Sequence, residues 1–169
     1  MKAEYDLLRW TSFPSSMKLV NDGTANYVVE HIAKFPVDPA EGEISIECNM
    51  KLEGLGFSYA SHIPIHTFDG TAWKMWQPIF SHVGFGTWDW KKMIDRKPGF
   101  RLLPSNTRML RVSLAGGAGT KETPAKTWFD DLRIYQDDVL IYENKFSNWA
   151  PVIIPAEIIT GAAMIKYIK

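Results

Sequence analysis

The chain has one cysteine, Cys48, so an intramolecular disulfide is excluded and cysteine usage leaves the redox compartment open. It has no excess of either charge, with 19 Lys and Arg against 19 Asp and Glu, and no window carries a basic stripe. Both facts argue against nucleic acid as a partner, because such binders draw most of their affinity from Lys and Arg neutralising phosphates. Long apolar runs are missing too: the stretch 162–165 in the tail is far short of the roughly 20 residues that span a bilayer, so no membrane insertion is expected. The opening MKAEYDLLRW carries Glu4 and Asp6 and has no apolar signal core, so this chain shows no signal peptide. An extracellular or virion location is expected, reached through a larger precursor, lysis or a virion. There is no G-x-S-x-G, no H-E-x-x-H, no P-loop and no Rossmann glycine pattern. The glycines of 116–119 lead into no helix that would cradle a phosphate. What is present is the make-up of one globular domain: 169 residues, 46% apolar and 22% charged. A chain of this length buries about two-thirds of its unfolded surface without help from a metal or a disulfide. Aromatics are plentiful, 13% of the chain with seven Trp.

Period-2 alternation is the dominant pattern. Across 43–53, Ile44, Ile46, Cys48, Met50 and Leu52 alternate with Glu43, Ser45, Glu47, Asn49, Lys51 and Glu53, which predicts a strand with one core face and one wet face. Cys48 falls on the core face, as a packing residue rather than a reactive thiol. Residues 27–33, 57–65, 72–80 and 108–115 are rich in β-branched and aromatic side chains and are bounded by Gly, Pro, Asn or Asp. In the last of these, Leu110, Val112 and Leu114 face in while Met109, Arg111 and Ser113 face out. Turn signals separate the runs at 21–23, 36–42, 69–70, 97–99, 104–106, 116–117 and 136–138. No segment before residue 155 sustains a 3.6-residue period, and 157–169 reads as a short helix or a final strand. The expected fold is all-β, a two-sheet antiparallel β-sandwich of the jelly-roll kind. Its domain covers 1–149, followed by an apolar C-terminal extension over 150–169 punctuated by Pro151 and Pro155.

Several segments carry a family likeness. GTKETPAKTWFDDLRIY (119–135), GTWDWKKM (86–93) and FRLLPSNTRMLRVSL (100–114), with SSMKLVNDGTANYVV (15–29) and FPVDPAEGEISIECNMK (35–51), stand in an order and spacing that resemble the jelly-roll carbohydrate-binding modules of families four and nine. The likeness covers roughly 10–135. It implies a non-catalytic module that binds a polysaccharide or a cell-surface glycan. Such modules often open with Asn-Gly-Gly-Phe-Glu, whose acid helps hold a structural calcium; here AEYDLLRW stands in that place. Most stop at the equivalent of Tyr135, whereas this chain continues through QDDVLIYENKFSNW (136–149). The run 43–47, EISIE, also resembles the Glu-x-Asp-x-Glu strand of family sixteen glycoside hydrolases, whose paired carboxylates act as nucleophile and acid/base. Ser45 replaces the central acid, and Glu43 and Glu47 read more simply as a solvated strand face, so no enzyme is expected.

Asp130 shares strand parity with Trp128, Leu132 and Ile134, so a carboxylate stands where core is expected. Such a group must be hydrogen-bonded, paired or on a metal, unless it sits at an exposed strand end. Calcium takes six to eight oxygens, which makes Asp130 and Asp131 candidate ligands, with Glu4 or Asp6 available to join them. Sugar binding asks for flat aromatic faces against pyranose C–H faces and for polar groups that catch hydroxyls. Trp10, Trp90 and Trp128 are expected in the core and Trp149 at the junction with the extension. Trp73 and Trp76, three apart, belong on opposite strand faces; Trp88 lies near the turn at Gly84 and Gly86. The stacking candidates are Trp76 and Trp88, with Trp73 in reserve. His62 and His66 share one strand face with Phe68 and would hydrogen-bond sugar hydroxyls; as metal ligands they lack a third member in register. Pro64 between them suits an edge strand or a bulge, and His31 and His82 have no evident partners. Two functions follow. One is glycan binding through exposed aromatics. The other is a virion structural role, as a phage or viral capsid decoration or tail component, with homo-oligomer or virion neighbours docked on the C-terminal extension.

Overall fold

The computed structural model describes residues 2–6, 16–56, 59–96, 101–119, 123–146 and 152–153, the first and last of these as backbone. Its strands are β1 (Lys2–Asp6), β2 (Ser16–Asn21), β3 (Tyr27–Pro36), β4 (Ile44–Leu55), β5 (Ile63–Phe68), β6 (Trp73–Ile79), β7 (Gly86–Asp95), β8 (Met109–Gly117), β9 (Ala125–Gln136), β10 (Val139–Asn144) and β11 (Val152–Ile153). Every pairing is antiparallel, and the strands form two sheets packed as a sandwich. The all-β fold expected from the alternation is the fold observed.

In the larger sheet β9 is the central strand. β4 runs along one of its edges and β7 lies beyond β4. Along the other edge β2 pairs with the first half of β9, Met17 opposite Phe129, and β10 with the second half, Tyr142 opposite Ile134. β1 adds to β2, and β11 adds to β10. The smaller sheet runs β3-β8-β5-β6.

The core fills the space between the sheets, as a half-buried alternating strand requires. Ile44, Ile46, Cys48, Met50 and Leu52 of β4 are each at most 2% exposed. Leu110, Val112 and Leu114 of β8 meet them from the smaller sheet, fully buried. Phe35 of β3 and Tyr142 of β10 stack across the gap with ring centroids 5.4 Å apart. Cys48 is in this core, where burial pushes its thiol well above the usual range; its Sγ–H donates to the Asp130 carbonyl at 3.3 Å. In the native protein Cys48 is therefore expected to be inert to Ellman's reagent and to react fully after unfolding. Fast native labelling would contradict its placement.

Bulges alter the parity that simple alternation assigns. In β9, Asn49 is opposite Asp130 but Glu47 is opposite Arg133, with Asp131 at φ 48° between them. Leu132 and Ile134 consequently face the core, whereas Trp128 and Asp130 face outward. Trp128 is fully buried as expected, but on the outer side of the larger sheet, with Lys51 Nζ 5.9 Å over its ring. In β7, Leu52 is opposite Trp88 and Met50 opposite Lys91. That turns Trp88 onto the core and leaves Trp90 half-buried within the bulge, which corrects the assignment of Trp90 as the core tryptophan. Gly116 and Gly117, read from the sequence as a turn, close β8 instead. The β9–β10 hairpin turns through Asp137 and Asp138 at φ 41° and 66°, the left-handed pair whose twist suits a two-residue hairpin. Trp10, Trp149, the turn at 97–99 and the segment 157–169 lie outside the described residues.

Candidate functional site

The outer face of the smaller sheet is built by strand register. On β3, Tyr27, Val29, His31 and Lys34 are opposite Gly117, Ala115, Ser113 and Arg111 of β8. Just before β5, His62 bridges Ala115, and on β5 His66 and Phe68 are opposite Arg111 and Met109. On β6, Met75 is opposite His66 and Trp73 opposite Phe68. Residues far apart in the chain thereby line one surface. It holds a pocket of about 400 Å³ lined by Tyr27, Val29, His31, His62, Pro64, His66, Met75, Arg111 and Ala115. Val29 and Met75 are half exposed, at 48% and 54%, so apolar surface and polar tips share the same recess.

Each histidine has its own tether. His31 Nδ1 shares a 2.7 Å hydrogen bond with Ser113 Oγ. His62 Nδ1–H donates to the Ala60 carbonyl at 2.9 Å, and its ring meets Tyr27 edge-on at 5.1 Å; Tyr27 in turn meets Tyr59 edge-on at 5.4 Å. Burial holds the His62 imidazole below its ordinary pKa. His66 is shifted the same way, first by burial and then by the positive charge of Arg111 and His31. His66 Nδ1 and Arg111 Nε are buried and have no hydrogen-bond partner among the described residues. The Arg111 guanidinium lies 4.9 Å over the Trp73 ring, with Lys34 Nζ 5.7 Å from the same ring and Phe68 packed against it at 5.1 Å. Trp73 thus extends this face beyond the pocket, with a cation laid on it.

Of the five side chains singled out for sugar contact, His62, His66 and Trp73 come together here. Trp76 does not: it is the extra residue of a β6 bulge, since Ile65 is opposite Gln77 but His66 opposite Met75, and it packs against the core. Trp88 is on the other sheet, packed on the core, with its Nε1–H donating to the Phe85 carbonyl at 3.0 Å and Lys91 Nζ 4.9 Å over its ring. Trp73 and Trp76 do occupy opposite faces, with Trp73 the outward one. β5 is an inner strand rather than an edge, and Pro64 stands opposite Pro78 beside the β6 bulge. Tyr27, His31, Met75 and Arg111 were not singled out. The signal for Arg111 was its outward parity on β8 and that for His31 was its alternation with Tyr27 and Val29; the missing step was the pairing that brings β3 beside β8.

Asp130 is fully buried, and its Oδ1 accepts the Asp131 N–H at 2.8 Å, while Asp131 Oδ2 accepts from Asn49 Nδ2 at 3.0 Å. No group of three His, Cys, Asp or Glu side chains that would hold a metal forms among the described residues. The two aspartates alone are far from the six to eight oxygens that calcium takes, and Glu4 and Asp6 are described only as backbone. Of the EISIE glutamates, Glu47 lies on β4 of the larger sheet and Glu43 just before it, bridged to Leu102. Glu47 holds Lys92 at 2.9 Å and Arg96 at 3.9 Å, ion pairs to two half-exposed cations on the outward face.

No protein-family model matches the chain, and no curated protein matches it. A solved structure of TmCBM61, a carbohydrate-binding module, in complex with beta-1,4-galactotriose is similar to it over 75% of this chain and 73% of that one, at 15% identity and a TM-score of 0.39.

Proposed function

We propose that the chain is a non-catalytic carbohydrate-binding protein that holds a polysaccharide or cell-surface glycan on the outer face of its smaller sheet. The observation that carries this reading is the pocket of about 400 Å³ in which Tyr27, Val29 and Met75 offer apolar surface beside the polar tips of His31, His62, His66 and Arg111. A pyranose has the matching character, one C–H face that prefers apolar contact and a rim of hydroxyls that prefers hydrogen bonds, and ligand pockets generally join the two in this way. The likeness of roughly 10–135 to carbohydrate-binding modules adds support from the sequence.

The test is affinity electrophoresis through gels containing neutral and acidic polysaccharides. The wild-type chain is expected to be retarded by at least one of them. Tyr27→Ala is expected to weaken that binding about tenfold or more, the loss of ~1.4 kcal/mol of contact. Ile94→Ala, on an exposed position of the larger sheet, is expected to change nothing. Free migration through every polysaccharide, or equal losses in the two variants, would remove the reading.

A further inference from the structure

We infer that the sugar taken by this pocket carries a carboxylate: the site is built for a uronic-acid unit, with Arg111 and His66 as the carboxylate-binding pair. The inference rests on the glycan-binding reading of the same pocket and narrows it to a class of substrate.

Charge in the pocket is one-sided, although the chain as a whole is balanced. Its polar lining consists of His31, His62, His66 and Arg111, and no Asp or Glu lines it among the described residues. Lys34 adds a further cation beside Trp73. Arg111 is a permanent cation, and it forms no ion pair with a carboxylate among the described residues. Its guanidinium is held in place by the Trp73 ring at 4.9 Å rather than by an anion. Arg111 Nε and, on the directly opposite residue of the neighbouring strand, His66 Nδ1 are buried and without a hydrogen-bond partner among the described residues. A buried polar atom left without a hydrogen bond is costly, so a ligand whose oxygens reach the Arg111 guanidinium and a protonated His66 relieves a cost already present in the free protein. A planar carboxylate does so in the geometry that the guanidinium fork favours. A neutral hydroxyl brings one oxygen and no charge. The apolar surface of Tyr27, Val29 and Met75 alongside suits the ring that bears the carboxylate, which a free inorganic anion would not use.

Protonation follows in sign. His66 faces Arg111 from β8, His31 from β3 and uncharged Met75 from β6, with His62 on its own segment. This positive surrounding, together with burial, favours the neutral imidazole in the free protein. A bound carboxylate reverses the balance, so binding takes up protons and tightens as pH falls through the histidine range. A uronate, with a pKa of about 3.5 as for other carboxylic acids bearing electron-withdrawing neighbours, stays ionised between pH 7 and 5.

The experiment uses the full chain and titration calorimetry against polygalacturonate, the same polymer fully methyl-esterified, neutral galactan and dextran sulfate. Polygalacturonate is expected to bind at least about tenfold tighter than its methyl ester at pH 6. The advantage should grow at pH 5 and shrink in high salt. Arg111→Gln should abolish the preference while its Tm and circular dichroism stay those of a folded chain. As a check that needs no variant, the His66 imidazole proton should titrate at higher pH in the presence of galacturonate oligomers than in their absence. Equal or tighter binding of the ester or of galactan would overturn the inference and leave the glycan reading standing. Binding of dextran sulfate without polygalacturonate would overturn the carboxylate assignment. Binding of no polymer at all would overturn both readings together, and an unchanged His66 titration would overturn the pairing with Arg111.

Discussion

Phe129→Ala is expected to lower the stability of the chain by about 3–5 kcal/mol, the range for truncating a buried Phe whose cavity the surroundings fill only in part. Phe129 is fully buried on the inner face of β9, the strand that three others share, opposite Met50 of β4 and Met17 of β2. At roughly 2–4 °C per kcal/mol for a chain of this size, the Tm should fall by roughly 6–20 °C. Urea or thermal unfolding measures it. A loss below about 1 kcal/mol would mean that the core around β9 closes over the gap. Because Phe129 belongs to the larger sheet and does not line the pocket, affinity for the glycan should be unchanged at temperatures where the variant stays folded.

Gly117→Ala should show the opposite coupling, with stability and binding lost together. A Cβ on Gly117 would overlap the Tyr59 carbonyl and crowd Ala60, and backbone cannot give way as a side chain does. The segment it would displace is tightly held. Ser61 N–H donates to the Gly84 carbonyl at 2.8 Å, His62 and Ala115 exchange backbone hydrogen bonds at 3.0 and 2.9 Å, and the Gly117 N–H donates to Ser61 Oγ at 3.0 Å. Ser61 Oγ also meets Thr127 Oγ1 of the larger sheet at 2.5 Å, both residues buried. Making room costs about 1–3 kcal/mol, as overpacking does elsewhere, and it moves Tyr59 and His62 away from Tyr27. Glycan affinity is expected to fall tenfold or more in calorimetry while circular dichroism remains that of a β-sandwich. Affinity within twofold of the wild type would show that the 59–62 segment does not shape the pocket.

Strand identity was legible in the sequence wherever one face is core and the other is wet. The alternation across 43–53 gave β4 with its inward residues correct, and that across 108–115 gave β8, because a one-residue slip would bury Glu47 or Arg111. The tryptophans were harder to place. Parity counts residues from a neighbour, and a bulge inserts one residue that nothing in a single sequence marks. Asp131 in β9 and the bulge after Trp88 in β7 each shifted an aromatic to the face opposite the one counted or out of line with it, while the count that set Trp73 and Trp76 on opposite faces did not say which of them is outward. The pocket was legible in half. His62 and His66 lie on one strand face by spacing alone, whereas their company with His31 and Arg111 depends on strand order, β3 beside β8 and β8 beside β5. Those pairings join distant parts of the chain, and no local pattern reports them.

The position of β9 has a bearing on how the protein comes to exist. Met17 and Ile44 must find Phe129 and Gln136 across most of the chain before the larger sheet has its central strand, and loop closures of that kind are slow to make. Folding on the scale of milliseconds to seconds is the rule for topologies so dominated by distant pairings. During synthesis, at about 5–20 residues per second, β2 and β4 emerge many residues ahead of the strand that joins them, so for several seconds the nascent chain carries two open strand edges with nothing to close on. The charged residues on the outward face of β4, Glu47, Lys51 and Glu53, are of the kind that keeps such an edge from pairing with a neighbouring nascent chain.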